Sequence, residues 1–110
     1  MRAFTVNQLL ADQKAAGDRY LEFLRVPTLS LGVYRLRAGE PDPQQPHGED
    51  EVYYVIAGRS RFTADGETVD VKPGTVLFVA RGAEHRFTEI AEDLTILVFF
   101  APAEGATPPP

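Results

Sequence analysis

The chain has no cysteine, no tryptophan, one methionine and two histidines in 110 residues. Without cysteine there is no disulfide, no thiolate metal site and no thiol nucleophile, and the redox compartment stays open. No run approaches the roughly 18 apolar residues of a membrane helix. The first twenty residues carry Arg2, Asp12, Lys14, Asp18 and Arg19 and lack the apolar stretch of a secretory signal. A cytoplasmic protein is therefore the expectation. Basic residues are the minority, 11 Lys and Arg against 16 Asp and Glu, for a formal net charge of −5. That balance offers no basic face to nucleic acid. There is no Gly-rich phosphate loop and no Gly-x-Ser-x-Gly elbow, and neither Ser30 nor Ser60 has a histidine at a suggestive spacing.

What is present describes one soluble domain. The hydrophobic share is 44% and the charged share 25%, near the averages for globular proteins. A compact chain of this length buries roughly 65% of its unfolded surface, enough for a single core. The domain is expected over residues 1–100, followed by a flexible Pro-rich tail over 101–110 that ends in three prolines.

Thr5 and Gln8 fit a capping box at the start of a short helix, with Val6, Leu9 and Leu10 as its packing face and Gly17 as its stop. The signal then changes to strands. Eight short runs rich in β-branched and aromatic residues are separated mostly by turn residues: Tyr20–Val26, Leu29–Arg37, Val52–Ala57, Arg61–Ala64, Thr68–Val71, Thr75–Val79, His85–Ile90 and Leu94–Phe100. Asp65-Gly66 suits a tight hairpin, and Lys72-Pro73-Gly74 marks another turn. Strands without intervening helices make an all-β, antiparallel sheet. The one long irregular stretch, Ala38–Asp50, is of the length at which loops carry function.

Both histidines sit where such a loop meets a strand. Around His47 the sequence reads Gly39, five residues, Gln45, Pro46, His47, three residues, Glu51, six residues, Gly58. Around His85 it reads Gly74, five residues, Ala80, Arg81, Gly82, two residues, His85, three residues, Glu89. These spacings resemble the two motifs of the cupin superfamily, small jelly-roll β-barrels that often hold one metal ion. Three identities depart: Gln45 stands at the first histidine, Ala80 at the proline and Glu89 at the asparagine of the family pattern. Strand alternation places Glu51, Tyr53, Val55 and Ala57 on one face, and His85, Phe87 and Glu89 on one face of a later strand. Glu51 is then the only charge on its face, and an inward carboxylate is costly unless it is paired or coordinates a metal.

The resemblance implies one divalent transition metal held by His47, Glu51 and His85, with Gln45 as a fourth, weaker oxygen ligand. Two imidazoles and a carboxylate suit iron, manganese, zinc, nickel, cobalt or copper. Dioxygenase chemistry follows if the metal is iron, and lyase or isomerase chemistry otherwise, on a small polar molecule in the barrel. Tyr53 and Glu89 are the candidate proton handlers. A non-catalytic binding or sensing barrel is the alternative. Other readings stay open: Glu51 satisfied by Arg35 or Arg37, or Glu49 or Asp50 competing with it for the ligand role, although a solvated acidic tip suits their place in the loop. Arg59 and Arg61 read as an exposed charged edge. The apolar outer face with Tyr54 and Ile56 suggests a homodimer.

Overall fold

A computed structural model describes residues 1–106 of the chain. Thr5 caps helix α1 (Val6–Ala16), its Oγ1 accepting the Gln8 N–H at 3.3 Å. The Gln8 side chain does not return to Thr5 but donates to Asp12 at 2.8 Å, so only half of the expected capping box forms. Gly17 ends the helix with φ 73° and donates its N–H to the Gln13 carbonyl. Leu9 is buried and Leu10 half-buried, whereas Val6 is 37% exposed. The second anchor is Gln13, whose buried amide donates to the carbonyls of Arg19 and Val33.

Six strands follow: β1 (Tyr20–Val26), β2 (Leu29–Leu36), β3 (Asp50–Ala64), β4 (Glu67–Val71), β5 (Val76–Val79) and β6 (His85–Ala101). All pairings are antiparallel, in the order β1-β2-β6-β3-β4, with β5 on the first half of β3. The sheet is not closed on itself, and its jelly-roll character lies in the two long, shared strands. Eight expected runs become six strands because two of the apparent breaks are bulges rather than ends. Register shifts between Val55 and Arg61 let β3 run on through Gly58. Gly58 has φ 99°, and a Cβ there would collide with the Asp93 carbonyl and the Leu94 backbone. The bulge also turns Ala57 outward, against the simple alternation. Because β3 pairs with β6 and β4, Arg59 and Arg61 lie mid-sheet rather than on an edge. Their exposed side chains sit 3.6 Å from Glu92 and 3.4 Å from Asp70.

The inward faces of β2, β3 and β6 form the core, with Leu36, Val55, Leu94 and Ile96 essentially without solvent contact. Tyr53 meets Phe62 and Phe87 edge to face within it, and Phe62 and Phe87 pack tilted against each other, at 4.7–5.6 Å between ring centroids. Strand β6 and its contacts run past the expected domain boundary at residue 100. Ala101 completes β6, Ala103 is 1% exposed and donates its N–H to the Pro27 carbonyl, and Glu104 donates to Ser30 Oγ. The small Ala103 methyl finds a fitted site that composition alone does not reveal. The rest of the expected tail, 107–110, lies outside the described residues. Among the described residues, no helix is long and apolar enough to cross a membrane.

Candidate metal centre

The loop between β2 and β3 is fixed from inside. Asp42, 5% exposed, accepts the Tyr34 hydroxyl at 2.9 Å, the Phe87 N–H at 2.9 Å and the Gln44 amide at 2.6 Å. One buried carboxylate thus ties the loop to β2 and β6, its charge met by donors from both strands. Further on, the His47 carbonyl accepts the Gly82 N–H at 2.7 Å, and Asp50 accepts the Arg81 N–H at 3.0 Å. The two motif regions are therefore joined by one backbone bond and one backbone-to-carboxylate bond, and His47 is set beside the start of β6.

There His47, Glu51 and His85 converge, with one ligating atom of each within 4.8 Å of the others. Glu51 Oε1 lies 3.2 Å from His85 Nε2 and 3.8 Å from His47 Nε2. His85 Nδ1 is 2.9 Å from the Ala83 carbonyl. A carbonyl only accepts, so Nδ1 carries the hydrogen and the neutral ring turns a lone pair toward a carboxylate. Among the described residues, neither His85 Nε2 nor Glu51 Oε2 has a hydrogen-bond partner, although both are buried. Two lone-pair donors facing each other in an apolar enclosure call for a cation between them, a proton or a metal ion. Burial pulls the His85 pKa down, but the Glu51 carboxylate and the Ala83 carbonyl outweigh it and leave the value raised. The donor set, two imidazoles and a carboxylate, fits a divalent transition metal.

The surroundings separate the remaining sequence candidates. Gln45 is exposed, whereas its neighbour Gln44 turns inward. The Gln44 amide is already engaged, accepting the Tyr53 hydroxyl at 2.7 Å and donating to Asp42. Irregular backbone has no fixed period, so motif spacing does not decide which of two adjacent glutamines faces the core. Tyr53 is fully buried beside the cluster, and burial together with nearby Glu51 drives its pKa far upward. Glu89 lies outside. It adopts φ 47°, which breaks the alternation after Phe87, and its 72%-exposed side chain stands 3.4 Å from Arg61. Arg35 and Arg37 are exposed, so Glu51 meets the histidines rather than an arginine. Asp50 is exposed, but Glu49 is 4% exposed and is no solvated tip.

A cavity of about 160 Å³ opens beside His47, lined by Tyr20, Tyr34, Gln44, Phe100 and Glu104 among others, with no lysine or arginine in its wall. A Cβ at Gly32 would strike the Tyr20 ring, so this glycine lets the ring lie against β2. The Tyr20 hydroxyl is buried without a partner among the described residues. Asp42, Gln44, Tyr20 and Glu104 escape sequence reading. Alternation along β1 and β2 offers a signal for the tyrosines, but nothing marks the others.

Comparison with known proteins agrees with this arrangement. A family model described as a cupin domain matches residues 32–100, which contain both histidines and Glu51. An uncharacterized protein of Streptomyces coelicolor is 45% identical over 105 residues, covering 96% of this chain and all of that protein. The cupin domain of Schizosaccharomyces pombe Cnp3 superposes with a TM-score of 0.69 at 20% identity, over 76% of this chain and 63% of that one. The DMSP lyase DddQ of Ruegeria pomeroyi superposes with a TM-score of 0.67 at 22% identity, over 77% of this chain and 48% of that one. At such identities the structures speak for the fold, and the family match carries the membership: the chain belongs to the cupin family.

Proposed function

We propose that this protein is a metal-dependent cupin acting on a small polar molecule held in the cavity beside His47. The observation that carries the reading is the buried pair of unpartnered donors, His85 Nε2 and Glu51 Oε2. His47, Glu51 and His85 would hold the ion, which would supply Lewis acidity toward a carbonyl or enol oxygen of the bound molecule. The chain supplies the rest. Tyr20 offers a free hydroxyl to the ligand, Phe100 and Val98 exclude water, and Glu104 adds negative charge at the wall. Tyr20, Tyr34, Gln44 and Glu104 line the cavity with polar groups, and a compact molecule suits its volume of about 160 Å³.

One observation favours a second reading, a barrel that binds its ligand without transforming it. The Tyr53 hydroxyl is committed to Gln44, and Glu89 points to solvent, so neither stands ready to move a proton. The fold neighbours include a lyase and a domain named only as a cupin domain.

The outer face supports a homodimer. Tyr54, Val76 and Phe78 are 41%, 64% and 66% exposed and adjoin one another across β3 and β5. A second copy of this chain is the partner this face suits.

Elemental analysis of untagged protein tests the main reading. Near-stoichiometric metal, lost in both Glu51→Ala and His85→Ala, is expected, followed by turnover of small carbonyl compounds. Unchanged metal content in both variants, or none in the native protein after reconstitution, would overturn it. Bound metal with a ligand recovered unaltered would move the binding barrel into first place.

A further inference from the structure

The last described residues do something no motif requires: they carry a carboxylate back onto a candidate ligand. After β6 the segment crosses the β1–β2 hairpin and is pinned there by its backbone. The Ala103 N–H bonds the Pro27 carbonyl at 3.3 Å, and the Glu104 N–H bonds Ser30 Oγ at 2.9 Å. Arg25 donates to the Glu104 carbonyl at 2.7 Å. Ala103 itself is buried, and so is Ser30. Side-chain position follows from these contacts. Glu104 Oε2 comes 3.5 Å from His47 Nδ1, while Nε2 of the same ring looks toward Glu51.

An imidazole has two nitrogens, and a neutral ring presents a lone pair at only one of them. His85 solves this with the Ala83 carbonyl, which holds the hydrogen on Nδ1. His47 has no carbonyl in that role. Its own main chain is used elsewhere, accepting from Gly82, and its ring otherwise meets Phe100 edge to face at 5.0 Å. The acceptor beside its Nδ1 is Glu104. We infer that Glu104 is a positioning residue that holds His47 as the Nδ1–H tautomer, so that both imidazoles present Nε2 lone pairs to the site beside Glu51. Carboxylates that orient ligating histidines in this way fix the ring and raise its basicity. The inference rests on the metal-site reading for its purpose, but not for its geometry. It also gives the C-terminal segment a function, since its pinning bonds place the carboxylate.

Two measurements separate this inference from the metal reading. Long-range nitrogen–proton NMR of the metal-free protein, in mildly alkaline solution where imidazole is neutral, reports the His47 tautomer directly. The native protein is expected to show Nδ1–H, and Glu104→Ala a mixture of the two forms, with the backbone spectrum otherwise preserved. Cobalt(II) competition against a chelator then reads the consequence. Affinity is expected to fall by roughly 10–100-fold in Glu104→Ala, with Glu104→Gln between it and the native protein because an amide oxygen still accepts. The visible cobalt spectrum should change with it. An unchanged His47 tautomer in Glu104→Ala would overturn the inference, whatever the metal result. Failure of the native protein to bind cobalt would instead overturn the metal reading.

Discussion

His85 and Glu51 face each other at 3.2 Å, both side chains 1% exposed, with the His85 hydrogen drawn to the opposite side of the ring by Ala83. The contact is therefore between a basic nitrogen and a carboxylate oxygen, a pair that repels unless something positive lies between. Buried polar groups left in this state are expensive, on the order of 1–3 kcal/mol each. A cation between them, a proton or a metal ion, would remove that cost. Everything nearby serves to keep the pair in place: the Asp42 staple, the bond between His47 and Gly82, and the aromatic wall of Tyr53, Phe62 and Phe87.

Removing Glu51 should abolish metal binding and yet cost little once the metal is gone. Glu51→Gln keeps the volume and replaces a lone pair with an amide that can donate to His85 Nε2. The metal-free variant is expected to match or exceed the metal-free native protein in stability, while its metal affinity falls by more than the roughly 100-fold expected for an orienting partner. Urea titrations with and without added cobalt(II) check both halves. A metal-free Glu51→Gln protein several kcal/mol less stable would show that the carboxylate serves the fold instead.

The pH response should change sign with metal. The folded His85 pKa is raised, with burial opposing and Glu51 and Ala83 prevailing. Its protonation therefore stabilises the metal-free fold fully below the unfolded value of about 6.5, and that stabilisation is lost as the pH climbs through the folded value. The slope reaches at most about 1.4 kcal/mol per pH unit for one proton. Metal binding must displace that proton, so metal affinity should rise over the same window. Thermal melts across neutral pH check this. The loss of metal-free stability should disappear in Glu51→Gln, and a slope that persists there would assign it to another group.

Much of this was legible in the sequence. Strand alternation placed Glu51 and Tyr53 inward, and the spacing around His47 and His85 singled out the residues that converge. The signal failed where the backbone departs from regular period. A bulge at Glu89 turned an expected inward side chain to solvent, and a structureless loop exchanged Gln45 for Gln44. Nothing in the sequence marked Glu104 either, in a segment whose Pro-rich composition reads as a tail. The segment is held instead by three backbone bonds and one buried methyl, none of which leaves a pattern.

Gly58 should be intolerant of any side chain. Its φ of 99° is strained for an L-residue, and the Cβ of alanine would meet the backbone of Asp93 and Leu94, which cannot swing aside as a side chain can. Conformational strain alone costs on the order of 1–3 kcal/mol. Gly58→Ala is expected to lower the unfolding free energy by at least that much, read as a lower urea midpoint with an unchanged slope. Gly66→Ala, also at positive φ but with open space around it, should lose only the conformational part. Equal losses at the two positions would mean the close approach at Gly58 is relieved by backbone movement.

The outer face provides the last test. Phe78 adjoins Val52 across the β3–β5 pairing, and Val76 adjoins Tyr54 in the same way. Exposed aliphatic and aromatic side chains thus form one continuous surface on the side of β3 opposite Glu51 and Tyr53. Leaving Phe78 in water forgoes the roughly 1.5–3 kcal/mol that burying such a side chain contributes, and a symmetric dimer recovers it twice. Sedimentation of the native protein at micromolar concentration is expected to show a dimer. Phe78→Asp should give a folded monomer, because a charge at the centre of a self-complementary patch meets its own copy. Since Phe78 points away from the barrel interior, metal content should be unaffected by that change. A native monomer would show that this face is not the site of self-association, whereas metal lost together with the dimer would mean that subunit contact helps hold β5 against Glu51.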